Sequence, residues 1–183
     1  MNTGSFLFRE ETMETIAARL LDGGMFNTTY LVGGGSPDRL FVLRLGPVER
    51  QRLLGFEGNL MRAEEYVCSV CRAAALPCSE VLAVDTSRTL VDRDYMIVSY
   101  IPSVPMCSAP LRRLHSVEGT RFGFVSRLLE GVGFESWSGA LYFEISDFTT
   151  RLEAAGGLTA EEGERVRAAF AANAELFDEI TAP

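Results

Sequence analysis

Residues 23–45 read GGMFNTTYLVGGGSPDRLFVLRL, and the reading of this stretch decides the fold. Tyr30, Leu31 and Val32 on one side, and Leu40, Phe41, Val42 and Leu43 on the other, are rich in β-branched and aromatic side chains that suit a pleated, half-buried surface. Between them, Gly33, Gly34, Gly35, Ser36, Pro37 and Asp38 supply the permissive backbone of a turn. The pattern predicts a β-hairpin. One cation, Arg44, stands in the second strand between Leu43 and Leu45. A charge among apolar neighbours is costly to bury unless a carboxylate or a phosphate meets it, so the position demands a partner.

Working outward from the hairpin, residues 47–55 are mostly polar and turn-like. Residues 56–75 carry Leu60, Met61, Ala63, Val67, Val70 and Cys71 at helical spacings, and Leu76-Pro77 ends the predicted helix. Residues 80–84 predict a third strand, 89–91 a short edge strand, and 94–101 a strongly apolar strand stopped by Pro102. Upstream, residues 9–22 are ambiguous: Met13, Ile16, Leu20 and Leu21 suit a helical stripe, and a strand running into Gly23-Gly24 suits a hairpin protein. Helix followed by strand is the expectation there. Residues 102–110 turn to Pro, Ser and Met, the signature of a linker between an α/β half and a helical half.

Beyond the linker, residues 111–115 suit the end of a helix, and 118–133 suit a loop broken by Gly119, Gly123, Gly131 and Gly133. Residues 137–155 predict a helix closed by Gly156-Gly157. Thr159 and Glu162 form a capping box that opens a last helix running through Val166, Phe170, Leu176, Phe177 and Ile180. The expected class is α+β: residues 1–102 as an antiparallel sheet plus one helix, and 103–183 as part of a helical domain.

The chain has 183 residues, 47% of them hydrophobic and 23% charged, which is enough to bury a core. A net charge of -8 opposes attraction to polyanions, so nucleic acid and anionic membranes are excluded as partners. The N-terminus lacks the apolar core and cleavage site of a secretory signal, and the apolar runs are strand-sized, so a cytoplasmic location is expected. The four cysteines, Cys68, Cys71, Cys78 and Cys107, fit free thiols in a reducing compartment. Cys68 and Cys71 lack the second cysteine pair or nearby histidine that a zinc site would need, and suit core thiols.

Hairpin, strand cation, helix with a carboxylate, further strands and an apolar strand ending in proline: this is the order of a kinase amino-terminal lobe. Its physical logic is that backbone N–H groups cover the phosphates, the strand cation contacts them, and a helix carboxylate fixes that cation. Glu64 is the candidate carboxylate, with Glu65 as its rival one position along.

GGMFNTTYLV (23–32), FVLRLGP (41–47), FEGNLMRAEEY (56–66), LPCSEVLAVD (76–85), DYMIVSYIPSVPM (94–106) and LHSVEGTRFG (114–123) resemble successive blocks of the aminoglycoside phosphotransferase and choline kinase-like family of small-molecule kinases. The resemblance implies a protein-kinase-like N-lobe, residues 1–102, followed by a partial helical C-lobe, residues 103–183. It implies ATP as the cofactor, with Met25, Phe26, Asn27, Thr28 and Thr29 in the nucleotide-covering loop. Arg44 would replace the usual strand lysine, Glu64 would be its helix partner, and Ser99, Tyr100 and Ile101 would form the hinge whose backbone meets adenine.

The family's catalytic chemistry resides in a His-Gly-Asp block with a following Asn, and then a metal-binding Asp. Neither block is in this sequence. The single histidine, His115, is followed by Ser116-Val117 and matches the family's Leu-His-Ser helix end. Asp147 and Asp178 suit surface charges on amphipathic helices. Losing a positioned acid/base group typically costs roughly 10²- to 10⁴-fold, and losing the metal ligands removes the electrostatic stabilisation that phosphoryl transfer relies on. The expectation is a truncated phosphotransferase-like chain without activity of its own, Mg being held only if a missing segment is supplied. The alternatives are an ATP-binding pseudokinase or regulatory module, and one half of a split kinase that acts on a small hydroxyl-bearing substrate once a complementing polypeptide is bound. Phe143, Phe148, Phe170 and Phe177, uncovered by truncation, would promote self-association.

Overall fold

A computed structural model of the chain describes residues 16–21, 26–34, 40–49, 53–102 and 113–183. Five strands form one antiparallel sheet: β1 (Ile16–Leu21), β2 (Thr28–Gly34), β3 (Leu40–Leu45), β4 (Val81–Asp85) and β5 (Tyr95–Ser99), in the order β1-β2-β3-β5-β4. The strands follow the β-branched and aromatic runs, and the pairing of β4 with β5 shifts between Val81 and Ala83. The hairpin predicted over residues 23–45 is present, with Thr28 opposite Leu45 and Gly33 opposite Leu40. Gly33 and Gly34, expected in the turn, belong to β2 and pair with Ala17 and Ile16.

Several expectations need correction. Of the helix and strand expected over residues 9–22, the strand is found at Ile16–Leu21, where β2 offers a pairing edge to residues whose spacing fits both periods. Residues 1–15 lie outside the described residues. Residues 89–91 are bends in the β4–β5 connection and not an edge strand. The stretch 118–133 contains a short helix, α2 (Val125–Leu129), and an isolated bridge between Phe122 and Phe134.

Helix α1 (Leu60–Ala73) follows a single 3₁₀ turn at Gly55–Glu57. It lays Met61 against Met96 and Val98, with Val42, Val81 and Val84 around them, and this is the buried core of the sheet half. The helix ends in a Schellman motif, with Leu76 N–H donating to the Cys71 carbonyl and Ala75 N–H to that of Arg72. Ala75 takes the left-handed position, at φ 52°, where glycine is usual.

Helix α3 (Trp137–Ala154) is capped by the Ser136 hydroxyl, which accepts from Gly139 N–H at 3.1 Å. It closes with the same motif as α1, here with Gly156 at φ 71°. The predicted capping box at Thr159 and Glu162 opens α4 (Ala160–Ala171). The last helix does not continue to Ile180: it breaks at Ala172-Asn173 and restarts as α5 (Ala174–Phe177), which lets Phe177 stack on Phe170 at 4.5 Å.

The helices are bonded to the sheet half through the segment before α1. Ser126 Oγ donates to the Phe56 carbonyl at 2.5 Å, and Arg151 Nη2 to that of Leu53 at 2.6 Å. The Phe56 ring stacks on Phe124 at 4.4 Å and packs on Phe148 at 5.7 Å. Of the aromatics singled out in the sequence, Phe143 is exposed, and of the aliphatic residues on the later helical stretch Val166, Leu176 and Ile180 are exposed. Among the described residues no helix is long and apolar enough to cross a membrane.

Candidate nucleotide site

Side chains on one face of a strand alternate, and residues directly opposite in an antiparallel ladder share a face. The register therefore puts Leu21, Thr29, Arg44, Met96 and Val84 in one row, and Arg19, Leu31, Val42, Val98 and Val81 in another on the same face. The core under α1 takes up the β3, β5 and β4 end of these rows. At the other end Thr29 and Leu31 are half-buried and Arg19 is exposed. Arg44 stands where the two regimes meet.

The partner that Arg44 required is Glu64. Arg44 Nη1 and Glu64 Oε2 form an ion pair and hydrogen bond, with side chains 31% and 34% exposed. Glu65 turns away and pairs with Arg62 Nη1 at 2.9 Å on the exposed side of α1. The choice between two adjacent glutamates is thus settled by geometry. At one-third exposure the pair is partly screened and adds about 1 kcal/mol or less to stability. Its larger effect is to hold the Arg44 guanidinium at the edge of the core, with N–H donors left for an anion.

Of the other residues singled out, Phe26, Asn27 and Thr28 lead directly into β2, next to the Thr29–Arg44 pair. Met25 lies outside the described residues. Phe26 is exposed, and Asn27 Oδ1 is buried without a hydrogen-bond partner. Ser99, Tyr100 and Ile101 lie at the end of β5, with Tyr100 and Ile101 exposed. The N–H groups of Ser99 and Tyr100 are engaged by the Glu80 and Leu40 carbonyls at 2.9 and 3.2 Å, and Ser99 Oγ accepts from Glu80 N–H at 2.9 Å.

Among the described residues no group of three or more His, Cys, Asp or Glu side chains could hold a metal ion. Cys68, Cys71 and Cys78 are half-buried free thiols, and Cys78 Sγ donates to the Cys68 carbonyl at 3.5 Å. Burial, then the neighbouring Cys78 and Cys71 thiols and Glu64, push the Cys68 thiol above its ordinary value, which suits an inert thiol. Asp147 and Asp178 are not idle charges: Asp147 lies between Arg127 and Arg151, and Asp178 accepts from Ser138 N–H and Oγ at 3.0 and 2.9 Å.

The described residues define an α+β protein with a five-stranded antiparallel sheet and several helices. No protein-family model and no curated protein matches the sequence. Among solved structures it is similar to a Ralstonia eutropha JMP134 protein provisionally assigned as an aminoglycoside phosphotransferase, with a TM-score of 0.40 and 13% identity. That match covers 82% of this chain and 37% of the other.

Proposed function

We propose that the chain is the nucleotide-binding part of an aminoglycoside phosphotransferase-like small-molecule kinase, an N-lobe over residues 1–102 and part of a helical C-lobe over 103–183. ATP lies across the β1–β3 end of the Arg44 face, its phosphates under the turn that carries Phe26, Asn27 and Thr28. The observation that carries this reading is the Arg44–Glu64 pair on the face that α1 leaves incompletely covered. A strand cation held by a helix carboxylate is what phosphate contact in a kinase lobe requires.

The residues that would transfer a phosphoryl group are not among these 183. The single histidine is followed by serine, where the family's catalytic block reads His-Gly-Asp. The chain therefore binds nucleotide without turning it over, and phosphorylation of a small hydroxyl-bearing substrate needs a further segment, on this polypeptide or another. Thermal unfolding in increasing ATP tests the binding, since a ligand that binds only the folded state must raise its stability. A γ-phosphate transfer assay with aminoglycosides, amino sugars and choline-like alcohols tests the second half. Turnover by these residues alone would overturn it.

A further inference from the structure

The connection from β4 to β5, residues 86–94, carries two arginines that reach back to the end of β3. Arg93 Nε donates to the Gly46 carbonyl at 2.5 Å, and its Nη2 donates to the Leu45 carbonyl at 3.2 Å and to Thr28 Oγ1 at 2.9 Å. Arg88 Nε pairs with Asp94 at 3.0 Å, and its Nη2 donates to the Pro47 carbonyl at 3.2 Å. Gly46 N–H returns a bond to the Asp94 carbonyl at 2.8 Å. With Arg88 Nη1 donating to the Val48 carbonyl at 3.5 Å, the two guanidinium groups gather four successive carbonyls at the β3 exit.

One of these contacts is of a different kind. Thr28 is not on the β3 exit: it is the first residue of β2, directly after Phe26 and Asn27, and in register it faces Leu45. Beside the ladder pairing, the Arg93 fork ties the Thr28 side chain at the start of β2 to the end of β3, one residue along each strand from the Thr29–Arg44 pair. A charged, rigid fork with three acceptors fixes relative position in a way that a flexible lysine would not.

We propose that Arg93 is a positioning residue, which pins the turn carrying Phe26 and Asn27 at a set height over Arg44 by holding Thr28 to the end of β3. The proposal rests on the nucleotide reading for its consequence, namely that a preorganised turn favours the phosphates of ATP. It implies that Arg93 acts on the phosphates and not on the nucleoside.

The test uses Arg93→Ala and Thr28→Val, calorimetric titration with ATP and with adenosine, and hydrogen exchange of peptides covering residues 26–34 without ligand. Both variants are expected to accelerate exchange at residues 26–29 and to weaken ATP about tenfold, the scale of one charge-assisted hydrogen bond, while adenosine binding stays unchanged. Unchanged exchange in both variants, or equal weakening of ATP and adenosine, would overturn the proposal. Thr28→Val removes one acceptor and leaves both carbonyl contacts of Arg93 in place, so it carries the test if Arg93→Ala does not fold. If the wild-type chain binds neither ligand, the nucleotide reading falls, and exchange alone decides whether Arg93 holds the turn.

Discussion

Replacing Arg127 with methionine is expected to destabilise the protein by about 3–5 kcal/mol, the usual cost of removing one partner from a buried ion pair. Arg127 Nε donates to Glu144 Oε1 at 3.2 Å, and the two side chains are only 16% and 7% exposed. Its other nitrogens lie 3.8 Å from Asp147 and 3.9 Å from Glu130, and the guanidinium sits 5.3 Å from the Phe143 ring centre. Methionine keeps most of the packing of the stem and removes the charge. Glu144 would be stranded, since its second oxygen is already buried without a partner.

Glu144→Gln should cost less, about 1–2 kcal/mol, because Arg127 retains Asp147 and Glu130. Arg127→Met combined with Glu144→Leu should recover most of the loss, since a well-packed apolar pair replaces a buried ionic one at little net cost. Urea unfolding of the wild type, both single variants and the double variant gives the coupling energy directly. An Arg127→Met protein within about 1 kcal/mol of wild type would show that the ion pair does not hold these helices together, as would a double variant no better than Arg127→Met alone. Such a result would mean that Glu144 finds water or another partner where the structure shows none.

Two helix ends with the same hydrogen bonds but different residues make a matched pair. Gly156→Ala should cost about 1 kcal/mol through left-handed backbone strain alone, since an added Cβ there meets nothing within 4 Å. Ala75→Gly should stabilise by up to about 1 kcal/mol, and a loss of stability in chemical denaturation would contradict that sign. At the start of α4, hydrogen bonds from the Thr159 N–H and hydroxyl hold the Glu162 carboxyl below the ordinary glutamate range. A lowered folded value means that the stabilisation is present above the unfolded value, about pH 4.3, and is lost as pH falls through the folded one. Thr159→Ala should therefore lower the melting temperature at pH 7, and the difference from wild type should narrow towards pH 3.

Local signals made much of this fold legible in the sequence. The β2–β3 hairpin followed from Tyr30 to Val32 and Leu40 to Leu43, and α1 from apolar residues at helical spacing. Arg44 announced its need for a partner because a cation between two leucines has no cheap resting place. What stayed hidden depends on the third dimension. Ile16, Leu20 and Leu21 fit both periods, and only the presence of β2 alongside decided for a strand. The five residues of α2 are too few to show a period, and the glycines around them masked the helix. The break at Ala172-Asn173 lies in an alanine-rich run that contains neither proline nor glycine.

The arginines were the largest omission. Arg88 and Arg93 lie between strands, where charged residues ordinarily face solvent, and their acceptors are backbone carbonyls some 40 positions or more away. Arg127 and Glu144 are 17 residues apart on different helices, a separation that no periodic pattern marks. A run of carbonyls left without partners at the end of a strand is visible only once the strand has been placed.

Calorimetric titration of ATP into the wild-type chain and into Arg44→Ala tests the central claim most directly. Saturable binding to the wild type and about tenfold or greater weakening in the variant are expected, with melting temperatures nearly equal because the Arg44–Glu64 pair is one-third exposed. Absence of binding to the wild type at millimolar ATP, or equal affinity in the two proteins, would contradict it.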